Sequence, residues 1–116
     1  MANSTAHPLR SEIEKLVQSN PVFIFMKGTP DFPMCGFSAR AVQVLKAAGV
    51  QKVQGFDVLS DDPMWDALED FSQWPTVPQI FIGGKFVGGC DIVTEMFERG
   101  ELQGLVSGAY QGQPQD

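Results

Sequence analysis

Cys35 is the residue in this chain best equipped for chemistry. It directly follows residues 28–34, a stretch containing Pro30 and Pro33, and directly precedes a segment in which Ala41, Val42, Leu45 and Ala48 recur at helical spacing. A sulfur at the mouth of a helix meets unpaired amide hydrogens and the positive end of the helix dipole. Both favour the thiolate, the form that attacks disulfides and binds metals. Pro33 fixes the approach of the chain, and Gly36 leaves room beside the sulfur. The residue three positions on is Ser38, whose hydroxyl cannot resolve a mixed disulfide. Cys35 must then be resolved by an outside thiol or be retained as a ligand. Cys90, the second of two cysteines, is too distant in sequence for a local motif, although a fold could bring the pair together. Two protein sulfurs alone would make an incomplete 2Fe–2S site, which takes four ligands; the others would come from another chain, a small thiol, or both.

Other residues could serve the same site. Lys27 closes an apolar run on the side of the Cys35 loop. Its charge there would favour thiolate and could meet a substrate carboxylate, while its plainer reading is a solvated strand end. Trp74-Pro75-Thr76-Val77-Pro78 leads into another apolar run. A cis bond before Pro78 would leave the Val77 backbone free to pair with an extended peptide; the alternative is a rigid turn. Gly88-Gly89 marks a sharp bend or a close approach to the backbone. Asp91 precedes the last helical stripe, with Thr94 three positions on, and is a candidate N-cap. It could equally hold a ligand's amino group beside the Cys90 and Asp91 amides.

The elements that must position these residues follow from periodicity and punctuation. Leu9, Ile13, Leu16 and Val17 form a helical stripe, started by a Ser11/Glu14 capping box or one turn earlier by Pro8, and ended at Asn20-Pro21. Residues 22–27 read as a central strand covered on both faces, 37–48 as a helix stopped by Gly49, and 53–59 as a shorter strand. A helix beyond Pro63 carries Leu68 and Phe71. Residues 79–82 and 85–87 flank Gly83-Gly84 as a hairpin, because two glycines supply the positive φ of a primed turn. Ile92, Val93, Met96 and Phe97 make a last stripe, followed past Gly100 by a short turn with Leu102, Leu105 and Val106. Helices alternating with strands, then a hairpin, predict one α/β domain with a mixed sheet. Residues 1–8 are expected to be a flexible N-terminus, 9–107 the folded domain and 108–116 a flexible tail.

Composition sets outer bounds. With 116 residues, 43% apolar and 19% charged, the chain suits one domain with a real core. A net charge of −6 with scattered Lys and Arg argues against a nucleic-acid partner. No apolar run is long enough to cross a bilayer, and neither a secretory signal nor an Arg-rich import segment is expected at the N-terminus. The acidic group Asp61, Asp62, Asp66, Glu69 and Asp70 reads as the wet face of a helix. Two cysteines fit a reducing compartment, and the cytoplasm is the expected location.

Four motifs stand in order: Lys27-Gly28-Thr29-Pro30, Pro33-Met34-Cys35-Gly36-Phe37-Ser38, Trp74-Pro75-Thr76-Val77-Pro78-Gln79 and Gly88-Gly89-Cys90-Asp91-Ile92. Together they resemble the monothiol glutaredoxins of the Cys-Gly-Phe-Ser type, in their single-domain form, over residues 9–106. The resemblance implies a thioredoxin-like fold with a four-stranded mixed sheet and a cis Pro78. It also implies a glutathione groove formed by Lys27, the Cys35-Gly36-Phe37 segment, Val77, Pro78 and residues 89–91. Lys27 would meet a glutathione carboxylate and Val77 the tripeptide backbone, while Gly89, the Cys90 amide and Asp91 would receive the γ-glutamyl end. One position departs from the family: Trp65 stands where an arginine commonly helps hold the glycine carboxylate. Either Lys27 suffices, or another base such as Arg40 reaches the groove, or Trp65 belongs to the core or an interface.

The leading expectation is a carrier of a 2Fe–2S cluster. Cys35 of each of two chains would bind iron and two glutathiones would complete the ligand set, with BolA-like proteins and apo acceptors of clusters as partners. The alternatives are a glutathione-dependent oxidoreductase and a cofactor-free thioredoxin-like adaptor. Cys90 is expected to be a small buried hydrophobe whose amide matters, with a Cys35 disulfide as its other reading.

Overall fold

The structure, a computed structural model, describes residues 7–111. Its centre is β1 (Val22–Met26), whose five residues are all buried. Alternate side chains of a strand point to opposite faces, so β1 feeds two cores. Val22, Ile24 and Met26 pack with α2 (Gly36–Ala47), α4 (Cys90–Glu98) and α5 (Glu101–Gln111), while Phe23 and Phe25 pack with α1 (Arg10–Ser19) and α3 (Asp62–Ser72). The remaining strands are β2 (Gln54–Asp57), β3 (Gln79–Ile82) and β4 (Lys85–Gly88). The four run in the order β2-β1-β3-β4. β1 is parallel to β2, with Phe23 opposite Gln54, and antiparallel to β3, with Phe23 opposite Phe81. This is the thioredoxin-like mixed sheet between helical layers that the motifs implied.

The hairpin forms as expected: Gly83 and Gly84 take φ of +63° and +82° between β3 and β4. Asn20 is extended and ends α1 before Pro21, and Gly49, at φ +114°, follows α2.

Several boundaries differ from the sequence reading. The Ser11/Glu14 capping box does not form, because Ser11 already lies inside α1, whose N-cap is Leu9. The chain enters α1 through the Pro8 turn instead, where Nδ1 of His7 accepts from the Leu9 amide at 3.0 Å. The strand expected over 53–59 is cut to four residues because Asp57 accepts from the Leu59 amide and starts a 3-10 turn, Val58–Ser60. Pro63 lies within the first turn of α3 rather than before it, the place where its missing N–H costs nothing, and Asp61 caps that helix through the Met64 amide. Asp91 is not the N-cap of α4. Gly89 takes that place and Asp91 falls in the first helical turn, where its charge faces the positive end of the helix dipole.

The short turn expected after Gly100 is an 11-residue helix, α5, held by buried Leu102 and Val106 one turn apart. It takes in 108–111 of the expected tail. Residues 112–116, and residues 1–6 of the expected flexible N-terminus, lie outside the described residues.

Candidate functional site

Residues 28–34 leave the end of β1 and return the chain to α2 in a closed loop. Gly28, at φ +84°, starts the reversal. A Cβ there would stand 2.5 Å from the Phe32 carbonyl oxygen and 2.6 Å from the Met34 nitrogen. The loop is tied across by the Met34 amide donating to the Lys27 carbonyl at 2.9 Å and by the Phe32 amide donating to the Thr29 carbonyl at 3.0 Å. Oδ1 of Asp57, from the neighbouring strand, accepts from the Gly28 amide at 2.9 Å and from the Leu59 amide at 2.9 Å. A single carboxylate oxygen therefore anchors the loop to the sheet.

This loop delivers Cys35 to the N-cap of α2 in extended conformation. Cys35 is half-buried, and neither cysteine is in a disulfide. The Ser38 amide in the first helical turn is the largest influence holding the Cys35 pKa below that of an ordinary thiol. Partial desolvation opposes it. The Phe37 amide, the Lys27 charge and the Ser38 hydroxyl then add to the lowering, in that order. The amides do not close short capping hydrogen bonds onto the sulfur. The field of the first-turn amides favours the thiolate all the same. Ser38 is fully buried, and its hydroxyl accepts from the Lys27 amide at 3.1 Å, joining the end of β1 to the first turn of α2.

A cleft of about 410 Å³ opens alongside, and its lining includes Lys27, Phe37, Val77, Pro78, Gly89, Cys90 and Asp91. Seven of the nine residues expected at the site thus face one space; Cys35 and Gly36 stand outside the lining, next to Phe37. The Val77–Pro78 peptide is cis. Cys90 is 6% exposed, so its sulfur is largely withdrawn into the core. Trp65 and Trp74 complete the apolar walls, whereas Arg40 is exposed on α2 and does not line the cleft. Three large apolar side chains surround the cysteine in sequence and face solvent: Phe32, Met34 and Phe37, at 77%, 68% and 65% exposure.

A larger cavity, about 650 Å³, lies elsewhere, between the start of β1 and the end of α5. Its lining of amides, Lys52 and Tyr110 includes no cysteine or carboxylate, so size does not locate the chemistry. Burial pushes the Tyr110 hydroxyl pKa up.

Three positioning residues escaped the sequence reading. The sequence shows Ser38 only as a missing thiol and Asp57 only as an interior residue of the 53–59 strand. Gln79, fully buried in β3, donates through Nε2 to the carbonyls of Trp74 and Thr76, both at 3.0 Å, and so holds the wall that carries Val77. Its signal was a polar residue opening an apolar run.

Among the described residues no group of three or more His, Cys, Asp or Glu side chains gathers as a metal cage. No helix among them is long and apolar enough to cross a membrane.

Comparison with known proteins agrees with this geometry. The family model described as Glutaredoxin matches residues 22–87. The chain is 48% identical over 101 residues to monothiol glutaredoxin-S11 of rice, covering 87% of this chain and 20% of that protein. It is 48% identical over 102 residues to the chloroplastic monothiol glutaredoxin-S14 of Arabidopsis thaliana, covering 88% of this chain and 58% of that one. With glutaredoxin 4 of Escherichia coli it shares 45% identity over 95 residues, 82% of each chain. The chain therefore spans about a fifth of the rice protein and somewhat over half of the Arabidopsis one.

Among solved structures, reduced apo GrxS14 of poplar superposes with a TM-score of 0.79 at 42% identity, over 90% of this chain and 94% of that one. A buckwheat glutaredoxin–glutathione complex gives a TM-score of 0.79 at 27% identity, over 95% and 97% of the two chains. Sequence, fold and the single cysteine at the helix mouth agree, and the chain belongs to the monothiol glutaredoxins.

Proposed function

We propose that this chain is a glutathione-dependent carrier of 2Fe–2S clusters. One observation carries the reading: a single half-buried cysteine held toward thiolate beside a cleft with one cation and one anion, while the second cysteine is buried. A thiolate at one place per chain fits one of the four ligands that a 2Fe–2S cluster takes, and the described residues provide no local cage for the rest. Two chains and two free thiols complete the set. Glutathione suits the cleft by charge. Asp91 attracts the ammonium of its γ-glutamyl end, leaving the glycine carboxylate for Lys27 and the middle of the tripeptide for Val77. A relative of this fold is known as a glutathione complex, which supports the assignment.

Glutathione held by noncovalent contacts lets the assembly part when an acceptor arrives. The exposed Phe32, Met34 and Phe37 would then meet the partner surface, and BolA-like proteins and apo acceptors of clusters are the proposed partners. The cytoplasm is the proposed location.

Anaerobic reconstitution with iron, sulfide and glutathione tests the reading. A coloured dimer is expected, carrying two glutathiones and one cluster, whose visible spectrum changes on adding a BolA-like protein. A colourless monomer without iron or acid-labile sulfide would sink it.

The lowered Cys35 pKa and its solvent access also favour thiol exchange as a second reading. The thiolate would attack the glutathione sulfur of a mixed disulfide and expel the protein thiolate. A second glutathione thiolate would then attack the Cys35–glutathione disulfide, releasing oxidised glutathione and restoring Cys35. Robust turnover of a glutathionylated peptide by iron-free protein, lost in Cys35→Ser, would make this the main activity.

A further inference from the structure

Trp65 and Lys27 share the cleft, and the Lys27 ammonium stands 5.8 Å from the centroid of the Trp65 ring. That lies within the range at which an aromatic face attracts a cation. Among the described residues Lys27 has no carboxylate within salt-bridge distance; the ion pairs there are His7–Asp66, Arg10–Glu14 and Arg99–Glu95. Asp66, the acid next to Trp65 in sequence, is engaged by Nε2 of His7 at 3.0 Å. No carboxylate among the described residues therefore competes for the lysine.

The indole is fixed by no polar contact of its own either, because its buried Nε1–H finds no acceptor among the described residues. Ring and ammonium line the same cleft, in which Lys27 is the one cation and Asp91 the one anion of the lining.

We propose that Trp65 is the specificity-determining residue at the cation end of the cleft. Its π face holds the Lys27 ammonium in place, and its apolar wall stands beside the ligand's terminal carboxylate. The chain thus grips that carboxylate through one cation only and accepts γ-glutamyl tripeptides in which it is esterified. The inference rests on the glutathione reading given above and adds to it a ligand class, tripeptides neutral at the glycine end.

The test is an NMR titration of the reduced, iron-free chain with glutathione and with its glycine monoethyl ester, at low and high salt. The wild type should distinguish acid from ester by less than about fivefold, the scale of one exposed charge pair. Trp65→Leu, which keeps bulk and loses the π face, should weaken glutathione roughly two- to fivefold, and Trp65→Phe should restore most of it. Trp65→Arg should raise the acid-to-ester preference by about fivefold and steepen the salt dependence. Unchanged binding in Trp65→Leu, or an unchanged ratio and salt dependence in Trp65→Arg, reduces Trp65 to packing and overturns the proposal. If the wild type shows no saturable response to glutathione, the tripeptide reading itself fails and this inference falls with it. A saturable wild type with unmoved variants removes only the inference.

Discussion

Cys35 owes its chemistry to its neighbours rather than to burial. The largest lowering influence is a backbone amide, that of Ser38, which no side-chain replacement removes, whereas Lys27 and the Ser38 hydroxyl contribute less. The alkylation rate of Cys35 against pH should therefore show a midpoint below that of an ordinary thiol. Lys27→Met should move it upward modestly and Ser38→Ala less still, while Cys35 in unfolded protein should titrate normally. The sign for stability follows: with a folded pKa below the unfolded one, the thiolate favours the native state at alkaline pH, and that benefit fades as pH falls through the folded value. Ser38→Ala should show its effect elsewhere. It strips the Lys27 amide of its acceptor, and urea unfolding should register a loss of about 1–3 kcal/mol.

The same residues show where sequence reading stops. Cys35 was legible because the prolines before it and the apolar stripe after it are both local. Ser38 and Asp57 were not, because their partners lie 11 and 29 positions away in the chain.

At the scale of elements, glycines divide into those the fold needs and those it merely tolerates. Gly28→Ala must displace loop backbone at 2.5–2.6 Å and adopt a φ of +84°, so the 28–34 loop should lose its order, with Cys35 reactivity altered in step. Gly104 and Gly108 sit inside α5 with nothing near an added Cβ. Gly104→Ala should raise stability by about 0.5–1 kcal/mol in thermal or urea unfolding.

Those two glycines also explain why α5 was read as a short turn. With Gln103 they dilute the buried stripe to Leu102 and Val106, and packing against α4 and β3, not local propensity, completes the helix. The hairpin was legible for the opposite reason: Gly83-Gly84 states its geometry within two residues. At α4 residue type misled, since Asp91 looks like a cap while Gly89 occupies that position.

For the whole molecule, β1 is the shared wall of two cores, and Phe25 is its most connected ring. Fully buried, Phe25 lies 5.0 Å from Phe23, 5.7 Å from Phe81 and 6.2 Å from Phe56, centroid to centroid. Phe25→Ala should cost about 3–5 kcal/mol, a large share of the roughly 5–15 kcal/mol that holds a domain of this size together. Near-UV circular dichroism and the distinctive reactivity of Cys35 should disappear in one transition, because both cores lean on the same strand.

The withdrawal of Cys90 into the interior, leaving Cys35 alone at the surface, reaches beyond the molecule. Under the function proposed above, one exposed sulfur begins each reaction and the surrounding pool of small thiols has to complete it. Its throughput is then governed by that supply. Starving a cell of glutathione should idle this protein while its abundance and its fold stay the same.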